Sequence, residues 1–462
     1  MLKTKKEEFV NRVLWKQTKR AFCSLVGAGC LLLGGILTPQ NAQATGNETA
    51  ASSGIREVIG IADVFGDGEK ISSVVLKYEK PIDARSVSDE DFQVDGKTVD
   101  FVCVNNRPEL TSNDRPGSFV VLHLANANTA YDGDLAQKPG REKHDKPGRG
   151  TDAPRHSDRQ PPDLSVKVRQ TGTVQAIDGT VYAPSETPMA GTATREPVIS
   201  SFQQFTYTDP ATGNSMPYNL YLPESYDEGN KYPLLFFVAD ASANINDVRT
   251  PLFQGNGATV WAEPSWQSEH ECIVLAPQYT ADLVSSLGMM TTDAHEWTPG
   301  LSLVTSLLFD VIDRYSVDEN RIYGTGQSQG GMANIAISDH YPELFAGQLL
   351  VACQWDVDEM EALKDKNLWI VVCEGDTKAF PGMNAATARW EALGTKVARN
   401  ADYWDSKASP AETESKIKAM EAQGANINYS VFAKGNHMYT WSFAYDIAGL
   451  REWLFRQSAK AE

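Results

Sequence analysis

A chain of 462 residues with 41% apolar side chains is long enough for two or three cores, which excludes wholesale disorder. Its net charge of −18 repels phosphate backbones, so nucleic acid is excluded as a natural partner and the charge reads as solubility. The 7 histidines are scattered and no glycine-rich dinucleotide signature follows a first strand, so the sequence implies no cofactor and no metal.

Residues 1–44 read as an export signal. Lys3, Lys5, Lys6, Arg12, Lys16, Lys19 and Arg20 form a basic lead, residues 21–37 carry no charge, and Asn41-Ala42-Gln43-Ala44 offers an A-x-A cleavage site. The expectation is a secreted or cell-envelope protein with no stable membrane insertion after cleavage. An uncleaved anchor is the alternative, because the uncharged run reaches the lower edge of a membrane span. Cleavage would leave Cys103, Cys272, Cys353 and Cys373, all in or beside apolar runs, and they read as buried free thiols.

After a polar linker at residues 45–54, residues 55–195 read as a β-sandwich. Val74-Val75-Leu76-Lys77-Tyr78 and Phe119-Val120-Val121-Leu122-His123-Leu124 are strand-like. Gly66-Asp67-Gly68, Val94-Asp95-Gly96 and Asn105-Asn106-Arg107-Pro108 are turn-like. Residues 132–162 are polar, with Lys138-Pro139-Gly140-Arg141 echoed by Lys146-Pro147-Gly148-Arg149. They cannot bury a face and are expected to form a disordered insertion in the β module.

From residue 200 to 462 the pattern alternates. Strands are expected at 218–222, 234–238, 273–276, 321–324, 349–352, 368–372 and 428–432. Helices are expected at 301–315, 330–340, 411–422 and 444–455. Fully apolar strands alternating with helices imply a mostly parallel sheet covered by helices on both faces.

The chemistry enters at Gly326-Gln327-Ser328-Gln329-Gly330, a G-x-S-x-G pentapeptide between an expected strand and an expected helix. In an α/β-hydrolase fold that turn presents the serine as nucleophile, and the order along the chain is serine, acid, histidine. A serine hydroxyl is a weak nucleophile until a base takes its proton. His340 and His437 are the later histidines. His340 lies 12 residues along the helix that starts at Ser328, roughly 18 Å away at 1.5 Å per residue, which is too far. His437 lies in a loop after the last expected strand, Lys434-Gly435-Asn436-His437-Met438, and is therefore the base. The acid should follow a strand between the two. Asp376, after 368–373, is preferred, with Glu374 as close competitor and Asp356 and Asp358 as outside options. The backbone N–H of Gln329 and that of Ala241, in the loop after 234–238, are the expected oxyanion donors. Trp297 and Trp355 are the expected walls of a substrate pocket.

Tyr323-Gly324-Thr325-Gly326-Gln327-Ser328-Gln329-Gly330-Gly331-Met332, Ala276-Pro277-Gln278-Tyr279, and Glu374-Gly375-Asp376 with Pro381-Gly382-Met383 resemble the poly(3-hydroxybutyrate) depolymerase-like esterases. With Leu76-Lys77-Tyr78-Glu79-Lys80-Pro81-Ile82-Asp83 and Asp91-Phe92-Gln93-Val94, the chain is similar to secreted esterases with an Ig-like N-terminal domain. The resemblance implies an α/β-hydrolase domain behind an Ig-like β-sandwich and a triad of Ser328, Asp376 and His437. It also implies small or medium acyl esters as substrates. Where wider relatives carry His-Gly at the oxyanion loop, this chain has Ala239-Asp240. A peptidase of the same fold and a non-catalytic surface-binding protein are the alternatives. The Ig-like module is expected to orient the catalytic domain, cover its mouth or join copies into a homo-oligomer.

Overall fold

The computed structural model describes residues 54–110, 113–125 and 161–459. The expected export signal lies outside the described residues. So do the linker apart from Gly54 and the insertion apart from residues 161 and 162.

The N-terminal module begins with β1 (Ile55–Phe65) and β2 (Gly68–Ile82), an antiparallel pair joined through Gly66-Asp67. β3 (Phe92–Val94), β4 (Val99–Asn105) and β5 (Gly117–Leu124) follow, then β6 (Lys167–Gln170), β7 (Val174–Gln175), β8 (Val181–Tyr182), β9 (Met189–Ala190) and β10 (Ala193–Arg195). One sheet has the order β10-β1-β2-β5-β4, and a smaller one has β3-β6-β9. Alternation along the strands supplies the core: Val58, Val74, Leu76, Val104, Val120 and Leu122 of the first sheet cluster with Phe92, Val94 and Val168 of the second. The chain leaves along β10, which pairs parallel with β1.

The C-terminal module is built on nine strands. They are β11 (Gln203–Thr208), β12 (Ser215–Tyr221), β13 (Tyr232–Val238), β14 (Ile273–Pro277), β15 (Val317–Gln327), β16 (Gly347–Val351), β17 (Leu368–Cys373), β18 (Val397–Arg399) and β19 (Ile427–Phe432). Their order is β11-β12-β14-β13-β15-β16-β17-β19-β18. β11 and β12 run antiparallel to their neighbours, and the pairings from β14 onward are parallel.

The all-apolar strands are explained by two separate cores. Leu234, Phe236 and Val238 of β13 point to one face, Leu235 and Phe237 to the other. Ile370 and Val372 against Trp369 and Val371 repeat the pattern in β17. Neither face meets water, so no polar alternation appears in the sequence.

Besides two single-turn helices at Thr250–Phe253 and Pro264–Gln267, the helices among the described residues are α1 (Ala281–Leu287), α2 (Pro299–Arg314), α3 (Gln329–His340), α4 (Ala379–Ala392), α5 (Pro410–Glu421), α6 (His437–Ala444) and α7 (Ala448–Phe455). Leu301 and Leu307 of α2, Ile335 and Ile337 of α3, and Met383 and Trp390 of α4 join the first core. Ile417 of α5, Phe443 of α6 and Leu450 and Trp453 of α7 join the second. This is the α/β-hydrolase arrangement. Among the described residues no helix is long and apolar enough to cross a membrane. Cys103, Cys272, Cys353 and Cys373 are free and buried.

Two expectations need correction. The closing helix is not continuous over 444–455. α6 ends at Ala444, and α7 starts after Ile447, whose ψ of 98° breaks the helix. His437 is not a loop residue but the first residue of α6. α4 carries no helix signal because Pro381-Gly382 falls in its first turn, where a proline removes no intrahelical hydrogen bond.

Candidate active site

β15 delivers Ser328 to the carboxyl edge of the sheet. Its backbone has φ 51° and ψ −119°, a conformation that costs a non-glycine residue about 1–3 kcal/mol. The neighbours explain how the turn is held. Ser328 N–H donates to Val351 O at 3.1 Å, and α3 starts at once. Gly330 lies against β13 so closely that a Cβ there would sit 1.8 Å from Val238 O. The flanking glycines are therefore required by crowding.

β17 delivers the acid. Asp376 N–H bonds Cys373 O at 3.0 Å, which closes a tight turn after the strand. Gly375 permits this turn to approach the next loop, since a Cβ there would meet Gly435 O at 2.1 Å. Asp376 is 1% exposed. Its Oδ1 accepts the N–H groups of Lys378 at 3.0 Å and Ala379 at 2.9 Å. Its Oδ2 faces His437 Nδ1 at 2.6 Å. Burial opposes ionisation of this carboxyl. The hydrogen bond and charge of His437, with the two backbone donors, outweigh it and hold Asp376 below the ordinary carboxylate range.

β19 delivers the histidine. Asn436 caps α6 by accepting Tyr439 N–H at 3.0 Å, which places His437 at the helix start. The imidazole Nε2 lies 2.8 Å from Ser328 Oγ. Trp441, one turn along, meets the ring edge-on at 5.2 Å.

The other expected residues are placed as follows. Glu374 points away and accepts the Lys434 N–H, while Asp356 accepts those of Asp358 and Glu359. Asp358 is exposed. His340 packs against Trp297, with ring centroids 3.9 Å apart and planes tilted by 33°, and does not join the serine. Trp297 donates to Ser302 Oγ at 2.8 Å. Trp355 is buried in the first core, with His295 beside it at 5.0 Å. Ala241 opens the short turn Ala241–Ala243, and Gln329 opens α3. Among the described residues neither of their N–H groups has an acceptor.

Residues not singled out from sequence surround this centre. Asp240, Gln327, Tyr445, Gln278 and Asn244 all carry side-chain hydrogen bonds around the Ala241 turn. Lys378 pairs with Asp293 at 2.7 Å, bridging the acid turn to the loop before α2. Their partners are far apart in the chain, so spacing carries no signal of them. Only Asp240, in the loop after 234–238 expected to carry an oxyanion donor, has a sequence mark. Glu269, His270 and Glu452, also missed, bring one ligand atom each within 4.8 Å of the others, with His270 bonded to Glu452 at 3.0 Å.

An α/β-hydrolase domain behind an Ig-like domain is the class these two modules define. Residues 57–183 match the esterase Ig-like N-terminal domain family, and residues 307–460 match the prolyl oligopeptidase family. A solved structure of a thermostable esterase is similar over 87% of this chain and 100% of its own, with 26% identity and a TM-score of 0.66. A feruloyl esterase module from Clostridium thermocellum, solved with sinapinate, shows weaker similarity. It has 13% identity and a TM-score of 0.36, over 57% of this chain and 93% of its own. No curated protein matches the chain. The protein thus has a serine-hydrolase-type esterase fold joined to an Ig-like N-terminal domain.

Proposed function

We propose that the protein is an exported carboxylic ester hydrolase acting through an acyl-enzyme on Ser328. The observation that carries this reading is the continuous contact from Ser328 Oγ to His437 Nε2 at 2.8 Å and from His437 Nδ1 to Asp376 Oδ2 at 2.6 Å.

In this scheme Ser328 Oγ attacks the ester carbonyl while His437 Nε2 takes its proton. The buried carboxylate of Asp376 holds the imidazole with Nδ1 protonated and stabilises the imidazolium that forms. Negative charge on the tetrahedral oxygen is met by the N–H groups of Gln329 and Ala241. Collapse breaks the bond to the alkoxy group, which leaves with the proton from His437. A water molecule then repeats the sequence on the acyl-enzyme, giving the free acid and restoring Ser328.

The esterase reading is preferred over other acyl transfer because the thermostable esterase aligns along its whole length with 87% of this chain, and because residues 57–183 match the esterase Ig-like N-terminal domain family. Small or medium acyl esters are the proposed substrates, in line with the poly(3-hydroxybutyrate) depolymerase-like motifs. Export through residues 1–44 and association through the Ig-like module belong to the same proposal.

The test is p-nitrophenyl ester hydrolysis across acyl chain lengths, with covalent labelling by a fluorophosphonate. The parent protein is expected to turn over short esters and to label once, with both lost in Ser328→Ala. Parent-level hydrolysis by Ser328→Ala would sink the proposal. The match of residues 307–460 to a peptidase family favours one second reading, a peptidase of the same fold. Turnover of prolyl peptide substrates exceeding that of esters would select it.

A further inference from the structure

The Ala241 turn is held by more side chains than a surface loop needs. Asp240 caps it, its Oδ1 accepting Ser242 N–H at 2.8 Å. The other carboxylate oxygen accepts Gln327 Nε2 at 3.3 Å. Gln327 is the residue before the nucleophile, and its Oε1 accepts the Tyr445 hydroxyl at 3.1 Å. Tyr445 follows the last residue of α6, the helix that begins with His437. All three are buried, with Asp240 3%, Gln327 2% and Tyr445 1% exposed. From the far side, the Gln278 amide donates to Ala243 O at 2.8 Å and Ile245 O at 2.6 Å. Asn244 reaches Gln329 Oε1 at 3.4 Å.

These bonds join the elements that supply the nucleophile, the base and the turn carrying Ala241. A buried polar group is expensive unless paired, so three such groups in series specify one arrangement of the loop. The Asp240 cap takes the Ser242 N–H out of play. The turn's own carbonyl bond from Ala243 N–H to Asp240 O takes another. Among the described residues the Ala241 N–H is left without an acceptor.

We propose that Asp240, Gln327 and Tyr445 form a positioning relay that aims the Ala241 N–H at the reacting carbonyl oxygen, with Gln278 clamping the opposite side of the loop. The inference rests on the proposed role of Ser328.

The experiment compares the parent full-length protein with Asp240→Ala, Asp240→Asn and Tyr445→Phe. The readouts are kcat and KM for p-nitrophenyl acetate, inhibition by a trifluoromethyl ketone that mimics the tetrahedral adduct, and thermal midpoint. Removing an oxyanion donor costs about 10²–10³ in kcat, so Asp240→Ala is expected to lose about 10²-fold in kcat with KM changed less than about threefold. Ketone affinity should fall by the same factor as kcat/KM. Tyr445→Phe, which deletes one oxygen, should lose about tenfold by loosening Gln327, about one unpaired hydrogen bond. Asp240→Asn can cap Ser242 and donate to a flipped Gln327, so it should stay within about threefold of the parent.

Asp240→Ala with parent kcat and parent ketone affinity overturns the relay. So does a loss confined to the thermal midpoint, with Tyr445→Phe unaffected in kcat and ketone affinity. If Ser328→Ala retained activity, the reading of the site itself would fail. If Ser328→Ala is inactive and Asp240→Ala is not, only the relay fails.

Discussion

Replacing Asp376 with Asn tests the proposed triad at its most buried member. The carboxylate makes three contacts, to His437 Nδ1 at 2.6 Å and to the N–H groups of Lys378 and Ala379 at 3.0 and 2.9 Å. An amide has one oxygen to offer. The two backbone donors sit on the same atom, Oδ1, and an Asn oxygen placed there keeps both bonds. The amide nitrogen then faces His437 Nδ1 and donates to it. That selects the tautomer with Nε2 protonated, which cannot accept the Ser328 proton. In serine hydrolases this change costs about 10⁴ in kcat, equivalent to about 5 kcal/mol of transition-state stabilisation. The assay is kcat for p-nitrophenyl acetate at about pH 7.5, with circular dichroism to verify folding. The acid limb provides a second readout. Because the folded-state carboxyl lies below its ordinary range, its contribution to stability is present above about pH 4 and is lost as pH falls through the folded value. The variant should therefore lose less stability than the parent on acidification. A folded Asp376→Asn protein within tenfold of parent kcat would refute the reasoning, and Glu374 would be the next residue to test.

Three further outcomes follow from packing and charge. Gly375→Ala should lower kcat about 10²-fold, because a Cβ 2.1 Å from Gly435 O forces the acid turn away from the histidine loop; an unaltered rate would show that the turns part without cost. Leu350→Ala, at a site with 0% exposure in the first core, should lower unfolding free energy by about 2–5 kcal/mol in urea titration and leave kcat of the folded protein unchanged. Burial, then the neighbouring negative charge of Glu196, pushes the Glu69 carboxyl up to about 8. The folded state then holds that proton more tightly than the unfolded chain, so its stability contribution is full below about pH 4.5 and is lost as pH rises through about 8. The parent thermal midpoint should fall between about pH 5 and 8 and level off above, and that of Glu69→Gln should fall less; equal slopes would discount the Glu69–Glu196 pair.

The sequence by itself determined the fold class and the strand-to-helix turn that carries Ser328. Apolar strands such as Leu234-Leu235-Phe236-Phe237-Val238 have no polar face, and burial on both sides of a parallel sheet is the solution that tolerates them. Gly326-Gln327-Ser328-Gln329-Gly330 names the strand-to-helix turn because side chains at its glycines would overlap neighbouring backbone, a local constraint that composition records. His437 emerged by elimination, since His340 is carried away along α3.

Only the tertiary structure separates the carboxylates in space, setting Asp376 and not Glu374 against His437. Glu374 and Asp376 are two residues apart on the same turn, and their separation into an outward and an inward group depends on the approach of Gly375 to Gly435, 60 residues later. The contacts around Ala241 were equally invisible. Asp240, Gln278, Gln327 and Tyr445 come from four separate elements, and hydrogen bonds between them leave no periodicity along the chain. Tryptophan positions say little as well, because Trp355 has the same sequence neighbours, Gln354 and Asp356, whether it lines a cleft or packs, as here, into the core. Local sterics and burial are written residue by residue. Which distant polar groups meet is settled only when the sheet brings their strand ends together.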